Sequence, residues 1–217
     1  MTKDTIIFDV DGIILDFSKI FVVYMKMTFN IEIPSNPNTW NFDWTDATDA
    51  TDATDATDAT DATDATDATD ATDATDATDA TDATDATDLS IYINKFIMTN
   101  PVLPLIDPSV IQLINYLKHK YKIIIVTAYT NKQNRIDNLN LFNIYYDDII
   151  FTSQSDKVNI INSLKPIIVF EDCPDHINNL IKMNNNVNVY VPSYWNYDKG
   201  FNNIRIIYYD KFSSLLI

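Results

Sequence analysis

Three near-continuous apolar runs constrain this chain more than anything else in it: Thr5-Ile6-Ile7-Phe8, Ile123-Ile124-Ile125-Val126 and Ile167-Ile168-Val169-Phe170. Each is short, rich in β-branched residues and apolar at successive rather than alternate positions, so a strand built from it must bury both faces. Amphipathic stretches separate them. Strands of this kind joined by helices pack as a mostly parallel sheet with helices on both sides. The pattern continues along the chain, with strands predicted at 122–127, 148–151, 167–171, 187–191 and 204–208 and helices at 131–142, 156–164 and 175–183. The expected fold is α/β, doubly wound and three-layered (α/β/α).

Polar groups stand at the ends of these runs or just beyond them. The first leads into Asp9-Val10-Asp11-Gly12, the second stops on Thr127, Lys157 follows the third predicted strand, and Glu171-Asp172 closes the fourth. In an open parallel sheet, ligands bind beyond the carboxyl ends of the strands. Asp9 and Asp11, at i and i+2, share a face on extended backbone. Two carboxylates so placed repel unless a cation or a proton sits between them. Gly12 removes the side-chain obstacle to a tight turn where the chain leaves the strand.

The 217 residues include a Thr-Asp-Ala repeat over 45–88 that has no large apolar side chain and cannot contribute to a core. Thr and Asp are poor helix formers and the aspartates at i, i+3 repel, so the repeat is expected to be a disordered charged loop within a small inserted cap. Lengthening a loop from about 5 to about 44 residues adds only about 2 kcal/mol of closure entropy, which a folded domain can carry. The cap is expected to comprise 17–44 and 89–103, with 1–16 and 104–217 forming the α/β core. Ile20, Val23, Tyr24 and Met27 follow helical spacing over 17–29, and Leu89 to Met98 is apolar enough to pack on the aromatic cluster Trp40-Asn41-Phe42-Asp43-Trp44. Asp107-Pro108 reads as a helix start.

The formal charge of −16 is misleading, because the repeat holds 15 of the 31 acidic residues and the rest of the chain is nearly neutral. Nothing in that remainder resembles a basic stripe for duplex nucleic acid. Cys173 is the only cysteine, which excludes an intrachain disulfide. The amino terminus runs into a strand with no signal-like segment, and no apolar run approaches the roughly 20 residues that span a bilayer. A soluble cytoplasmic protein with no membrane partner is expected. His119 lies at a helix end, and His176, after the acidic pair, lacks the His or Cys partners of a zinc site.

The ordered set Asp9-Val10-Asp11-Gly12, Thr127, Lys157 and Glu171-Asp172 resembles the four motifs of the haloacid dehalogenase-like (HAD) phosphohydrolase superfamily. A narrower resemblance is to the 5'(3')-deoxyribonucleotidases, through Asp16-Phe17, the Pro-rich turn from Pro34 to Trp40, Asp156-Lys157 and Glu171-Asp172-Cys173-Pro174-Asp175. Glu171 and Cys173 depart from that family's usual Asp and basic residue. The resemblance implies a HAD-like fold, a Mg2+-dependent phosphomonoesterase and a deoxynucleoside monophosphate or other small phosphate ester as partner.

The roles then follow from what a phosphate monoester requires: an in-line nucleophile, a proton donor for the leaving oxygen and cations for the remaining oxygens. Asp9 is the expected nucleophile and Asp11 the expected proton donor and acceptor. Thr127, the backbone N–H of Ala128 and Lys157 are expected to bind phosphate. Mg2+ is expected on Asp9, the Asp11 backbone carbonyl and Asp172, with Glu171 as a further candidate. Phe17, Trp40 and Trp44 are candidate pocket residues, although such aromatics are more often cap core. Two alternatives stay open: a phosphatase for another metabolite, and a non-catalytic binding module.

Overall fold

The computed structural model describes residues 3–33, 89–183, 186–193, 203 and 205–216, the side chains of 89 and 90 excepted. The chain begins with β1 (Thr5–Phe8), passes through helices α1 (Phe17–Phe29), α2 (Leu89–Met98) and α3 (Ser109–Leu117), and returns to the sheet as β2 (Lys122–Thr127). It then alternates through α4 (Lys132–Leu141), β3 (Asp148–Phe151), α5 (Lys157–Ser163), β4 (Ile168–Phe170), α6 (Pro174–Met183), β5 (Asn188–Pro192) and β6 (Ile206–Tyr209), and ends in a 3-10 turn at Phe212–Leu215. All strand pairings are parallel, in the order β3-β2-β1-β4-β5-β6. The strand order therefore reverses at β1, between β2 on one side and β4 on the other.

Successive side chains of the apolar strands go to opposite faces, and each face finds its own helices. Ile6, Phe8, Ile123, Ile125 and Phe170 pack with Val110, Leu113 and Ile114 of α3 and Leu139 of α4. Ile7, Ile124, Val126, Val169, Val189 and Val191 pack with Val158 and Ile161 of α5 and Ile177 and Leu180 of α6. This is the doubly wound three-layer fold expected from the runs. Each fully buried Ile or Val contributes roughly 1.5–3 kcal/mol. Phe8 and Phe170 stack across β1 and β4 at 4.2 Å between ring centres, directly beneath the strand ends that carry Asp9 and Glu171.

Helix α3 begins one residue later than Asp107-Pro108 suggests: Asp107 Oδ1 accepts from the Ser109 N–H at 2.9 Å, and Oδ2 accepts from Phe212 N–H at 2.9 Å. α1 has the expected limits, with Asp16 capping it by accepting from Lys19 N–H and Asn30 closing it in the left-handed region. Its buried face differs from the one that the spacing of Ile20, Val23, Tyr24 and Met27 outlines. Phe21, Met25 and Ser18 are buried, while Met27 is 82% and Val23 47% exposed. The reason is α2, whose Phe96 meets Phe17, Phe21 and Tyr24 while Tyr92 meets Phe29. Aromatic area outweighs aliphatic periodicity in orienting the helix. Trp40, Phe42 and Trp44, with the rest of 34–44 and the repeat at 45–88, lie outside the described residues.

The two chain segments leading into and out of this helix pair are tied together. Asp16 N–H donates to Pro104 carbonyl at 2.9 Å and Ile106 N–H to Ile14 carbonyl at 3.0 Å. A series of asparagines on α4 holds the return segment: Asn131 bonds Asn100, Asn134 and Asn138 donate to Pro101 carbonyl, and Asn138 accepts from Leu103 N–H at 2.7 Å.

Candidate active site

The carboxyl edge of β1 and β4, where the strand order reverses, carries the densest group of buried charges among the described residues. Asp9 is the first residue past β1, and its N–H continues the ladder onto Phe170 carbonyl at 3.0 Å. Glu171 follows β4 and extends its pairing to Tyr190 carbonyl at 3.2 Å. Asp172 comes next. Lys157 opens α5 after β3, and Thr127 ends β2. All five are buried.

Lys157 is no surface lysine. Its Nζ lies 2.6 Å from Asp9 Oδ2 and 3.0 Å from Glu171 Oε2. Glu171 Oε1 in turn accepts from Cys173 N–H at 3.1 Å and faces His176 Nδ1 at 3.3 Å, while His176 Nε2 stands 3.2 Å from Gln154 carbonyl. Burial pulls Lys157 downward, but Asp9 and Glu171 overcome it and hold its ammonium above the usual lysine range. Burial alone would raise Glu171; Lys157 and His176 reverse that and hold it down at about 2. His176 is lowered by burial and raised more strongly by Cys173 and Glu171, to about 10.

The other two carboxyls go the opposite way. Burial pushes Asp9 up to about 7, with Lys157 opposing and Glu171 and Asp11 adding repulsion. Burial, followed by the charges of Asp9 and Glu171, raises Asp172 well above the usual carboxylate range. Ligand oxygens of Asp9, Glu171 and Asp172 lie within 4.8 Å of one another. Neither oxygen of the fully buried Asp172 has a hydrogen-bond partner. A buried carboxylate left this way costs several kcal/mol unless a proton or a cation satisfies it. Hard oxygen donors converging at this spacing suit Mg2+, so the residues fit the ion.

Gly12 fits the same centre from the turn. Its φ is +84°, and a Cβ there would overlap Asp172 Oδ2 and stand 2.6 Å from Asp172 Cγ. Glycine is thus required twice, for a left-handed backbone and for the space that Asp172 occupies. The turn is closed by Ile14 and Leu15 N–H groups donating to Val10 carbonyl, both at 2.9 Å, and by Gly12 N–H donating to Leu15 carbonyl.

Asp9 and Asp11 each face a basic side chain of their own, Lys157 for Asp9 and Arg135 for Asp11. Asp11 Oδ2 accepts from Arg135 Nε at 3.1 Å and Oδ1 from Nη2 at 2.5 Å. Arg135, one turn into α4 and fully buried, was not legible as a site residue. Its neighbours on the buried face of α4 are Asn134, Asn138 and Leu139, so no apolar period marks the face. Of the remaining expected residues, Ala128 is half-buried beside Thr127, whose carbonyl accepts from Thr152 N–H. Phe17 is partly exposed, with its ring on Phe21 and Phe96. Trp40 and Trp44 lie outside the described residues.

No protein-family model matches the chain, and no curated protein does. Among solved structures it is similar to a HAD-superfamily hydrolase, subfamily IA, variant 1, from Geobacter sulfurreducens PCA, with a TM-score of 0.51 and 7% identity over 99% of this chain and 98% of that one. It is also similar to a HAD-superfamily hydrolase from Ehrlichia chaffeensis, with a TM-score of 0.46 and 13% identity over 99% of this chain and 95% of that one. At these identities the likeness is one of fold. The parallel six-stranded sheet with helices on both faces is the HAD-like α/β architecture.

Proposed function

We propose that this protein is a magnesium-dependent phosphomonoesterase that works through an aspartyl-phosphate. The observation that carries the reading is Asp172, fully buried with both oxygens unpartnered, beside an Asp9 that is already engaged by Lys157. Mg2+ would be held by Asp9, Asp172 and the Asp11 backbone carbonyl, with Glu171 close by but sharing its charge with Lys157 and His176. When bound, the ion supplies positive charge for the phosphoryl oxygens and allows Asp9 and Asp172 to be ionised together.

Asp9 attacks phosphorus as the bond to the alcohol oxygen breaks, and Asp11 gives that oxygen its proton. Lys157, fixed by Asp9 and Glu171, offsets the repulsion between a carboxylate nucleophile and an anionic ester. The hydroxyl of Thr127 and the N–H of Ala128 donate to the transferred phosphoryl group. Water then attacks the acyl phosphate, Asp11 takes its proton, and phosphate leaves with Asp9 restored.

The substrate class we propose is the deoxynucleoside monophosphates, on the strength of the Asp16-Phe17, Asp156-Lys157 and Glu171-to-Asp175 motifs. The test is phosphate release across deoxynucleotides, ribonucleotides and base-free sugar phosphates, with and without magnesium. Deoxyuridine or deoxythymidine monophosphate is expected to be hydrolysed fastest, and only with the metal. Preference for a base-free sugar phosphate would remove the nucleotide assignment and leave the phosphatase. No turnover of any ester would remove both.

A further inference from the structure

Arg135 is the sole side-chain partner of Asp11 among the described residues, and it is held more tightly than a surface ion pair would be. Its guanidinium grips both Asp11 oxygens, with Nε at 3.1 Å from Oδ2 and Nη2 at 2.5 Å from Oδ1. Its Nη1 donates to Asn134 Oδ1 at 3.2 Å, and its Cζ lies 3.4 Å from the centre of the Tyr129 ring. Arg135 is 0% exposed, whereas the Asp11 side chain keeps 20% of its surface open to the site. A guanidinium cannot release a proton in this chemistry, so it cannot serve as the acid or base itself.

We propose that Arg135 is a positioning residue that aims Asp11 for proton transfer in both half-reactions, an inference resting on the phosphomonoesterase reading. A carboxylate has four acceptor sites, and the side-on fork takes two of them. One lone pair on each oxygen remains, and a proton carried there leaves both Arg135 bonds in place. Asp11 stands on a turn rather than inside a strand, so without the fork its side chain would rotate among several positions. Holding it in one converts proton transfer into an oriented event, the kind of effect that displacement of about 1 Å can reduce 100-fold. Asn134 and the Tyr129 ring fix the guanidinium in turn, and both come from the segment that also carries Thr127. The second motif thereby supplies the phosphate donors and the orientation of the proton carrier together.

The experiment separates the two proton transfers by leaving group. p-Nitrophenyl phosphate releases a phenoxide that needs no proton, while an alkyl phosphate releases an alcohol that does. In Arg135→Met, formation of the aspartyl-phosphate from the alkyl ester is expected to fall on the order of 100-fold, the range of a positioned acid/base. Formation from p-nitrophenyl phosphate, read as the pre-steady-state burst of nitrophenolate, is expected to change less than about threefold. Because Asp11 also activates water, the phosphoenzyme accumulates and the burst becomes more pronounced. Arg135→Lys, which keeps the charge but loses the fork, is expected to show the same split at smaller size. It also carries the test if Arg135→Met does not fold, as judged by its thermal midpoint. Equal losses on both esters, or no loss on either, would overturn the inference. Turnover that survives Asp9→Asn would exclude the aspartyl-phosphate on which the inference rests, and no turnover of any ester by the wild type would overturn the phosphomonoesterase reading and the inference with it.

Discussion

Replacing Gly12 by alanine tests the geometry of the centre without replacing any of its charged groups. The methyl group meets two penalties. The backbone at φ +84° costs a residue with a Cβ roughly 1–2 kcal/mol. The Cβ would also stand 2.6 Å from Asp172 Cγ, and relieving such an overlap in a packed interior costs about 1–3 kcal/mol. The sum, about 2–5 kcal/mol, lowers the thermal midpoint by roughly 4–20 °C for a domain of this size. Relief of the overlap must displace Asp172, whose ligand oxygen lies within 4.8 Å of those of the buried Asp9 and Glu171. Magnesium affinity is therefore expected to fall at least about tenfold, as it does when the support of a metal ligand is disturbed. Thermal unfolding in chelator gives the first quantity, and the rise in midpoint with added magnesium gives the second. A midpoint within a degree of wild type together with an unchanged magnesium response would refute the packing of Gly12 against Asp172.

Asp9→Asn is expected to abolish turnover while leaving the thermal midpoint equal to or above that of wild type, since the amide removes one of three buried carboxyls; retained turnover would exclude the covalent route. The metal-free protein is expected to lose stability as pH rises from about 4 to about 7: Asp9 has a folded value near 7 against an ordinary 3.8, so the unfolded chain releases its proton first. His176, at about 10 against 6.5, contributes in the same direction above pH 6.5, whereas Glu171, at about 2 against 4.5, contributes loss only as pH falls below 4.5. Thermal midpoints at pH 5 and pH 8 in chelator check the sign, and a higher midpoint at pH 8 would contradict it. Replacing 45–88 by a short Gly/Ser linker is expected to leave the midpoint unchanged or slightly raised and activity intact; loss of cooperative unfolding would show that the repeat contributes to the fold.

The amino-acid sequence by itself determined the layers of this protein. A run such as Ile123 to Val126 has the same meaning wherever it lies, because burial on both faces is a property of a few consecutive side chains. The same holds for the strand ends, since a motif that stops β1 or β4 must lie on the carboxyl edge of a parallel sheet. Helix α1 shows where local information stops. Its limits follow from Asp16 and Asn30, but which of its faces is buried depended on Phe96, about 75 residues away in the chain.

The electrostatic pairing of the site belongs to that second kind. Nothing near Asp11 indicates that its partner is Arg135, 124 positions later on a helix whose buried face is polar. Lys157 and His176 are ordinary in sequence and become the buried neighbours of Glu171 only when β3, β4 and α6 are brought together. Gly12 reads as a turn residue, yet its tighter requirement comes from Asp172, 160 positions on. Short-range patterns report which backbone a segment adopts and which of its faces can be apolar. The pairing of charges is decided where strands distant in sequence end side by side, because the energy of a buried charge depends on the few ångströms around it and not on its place in the chain.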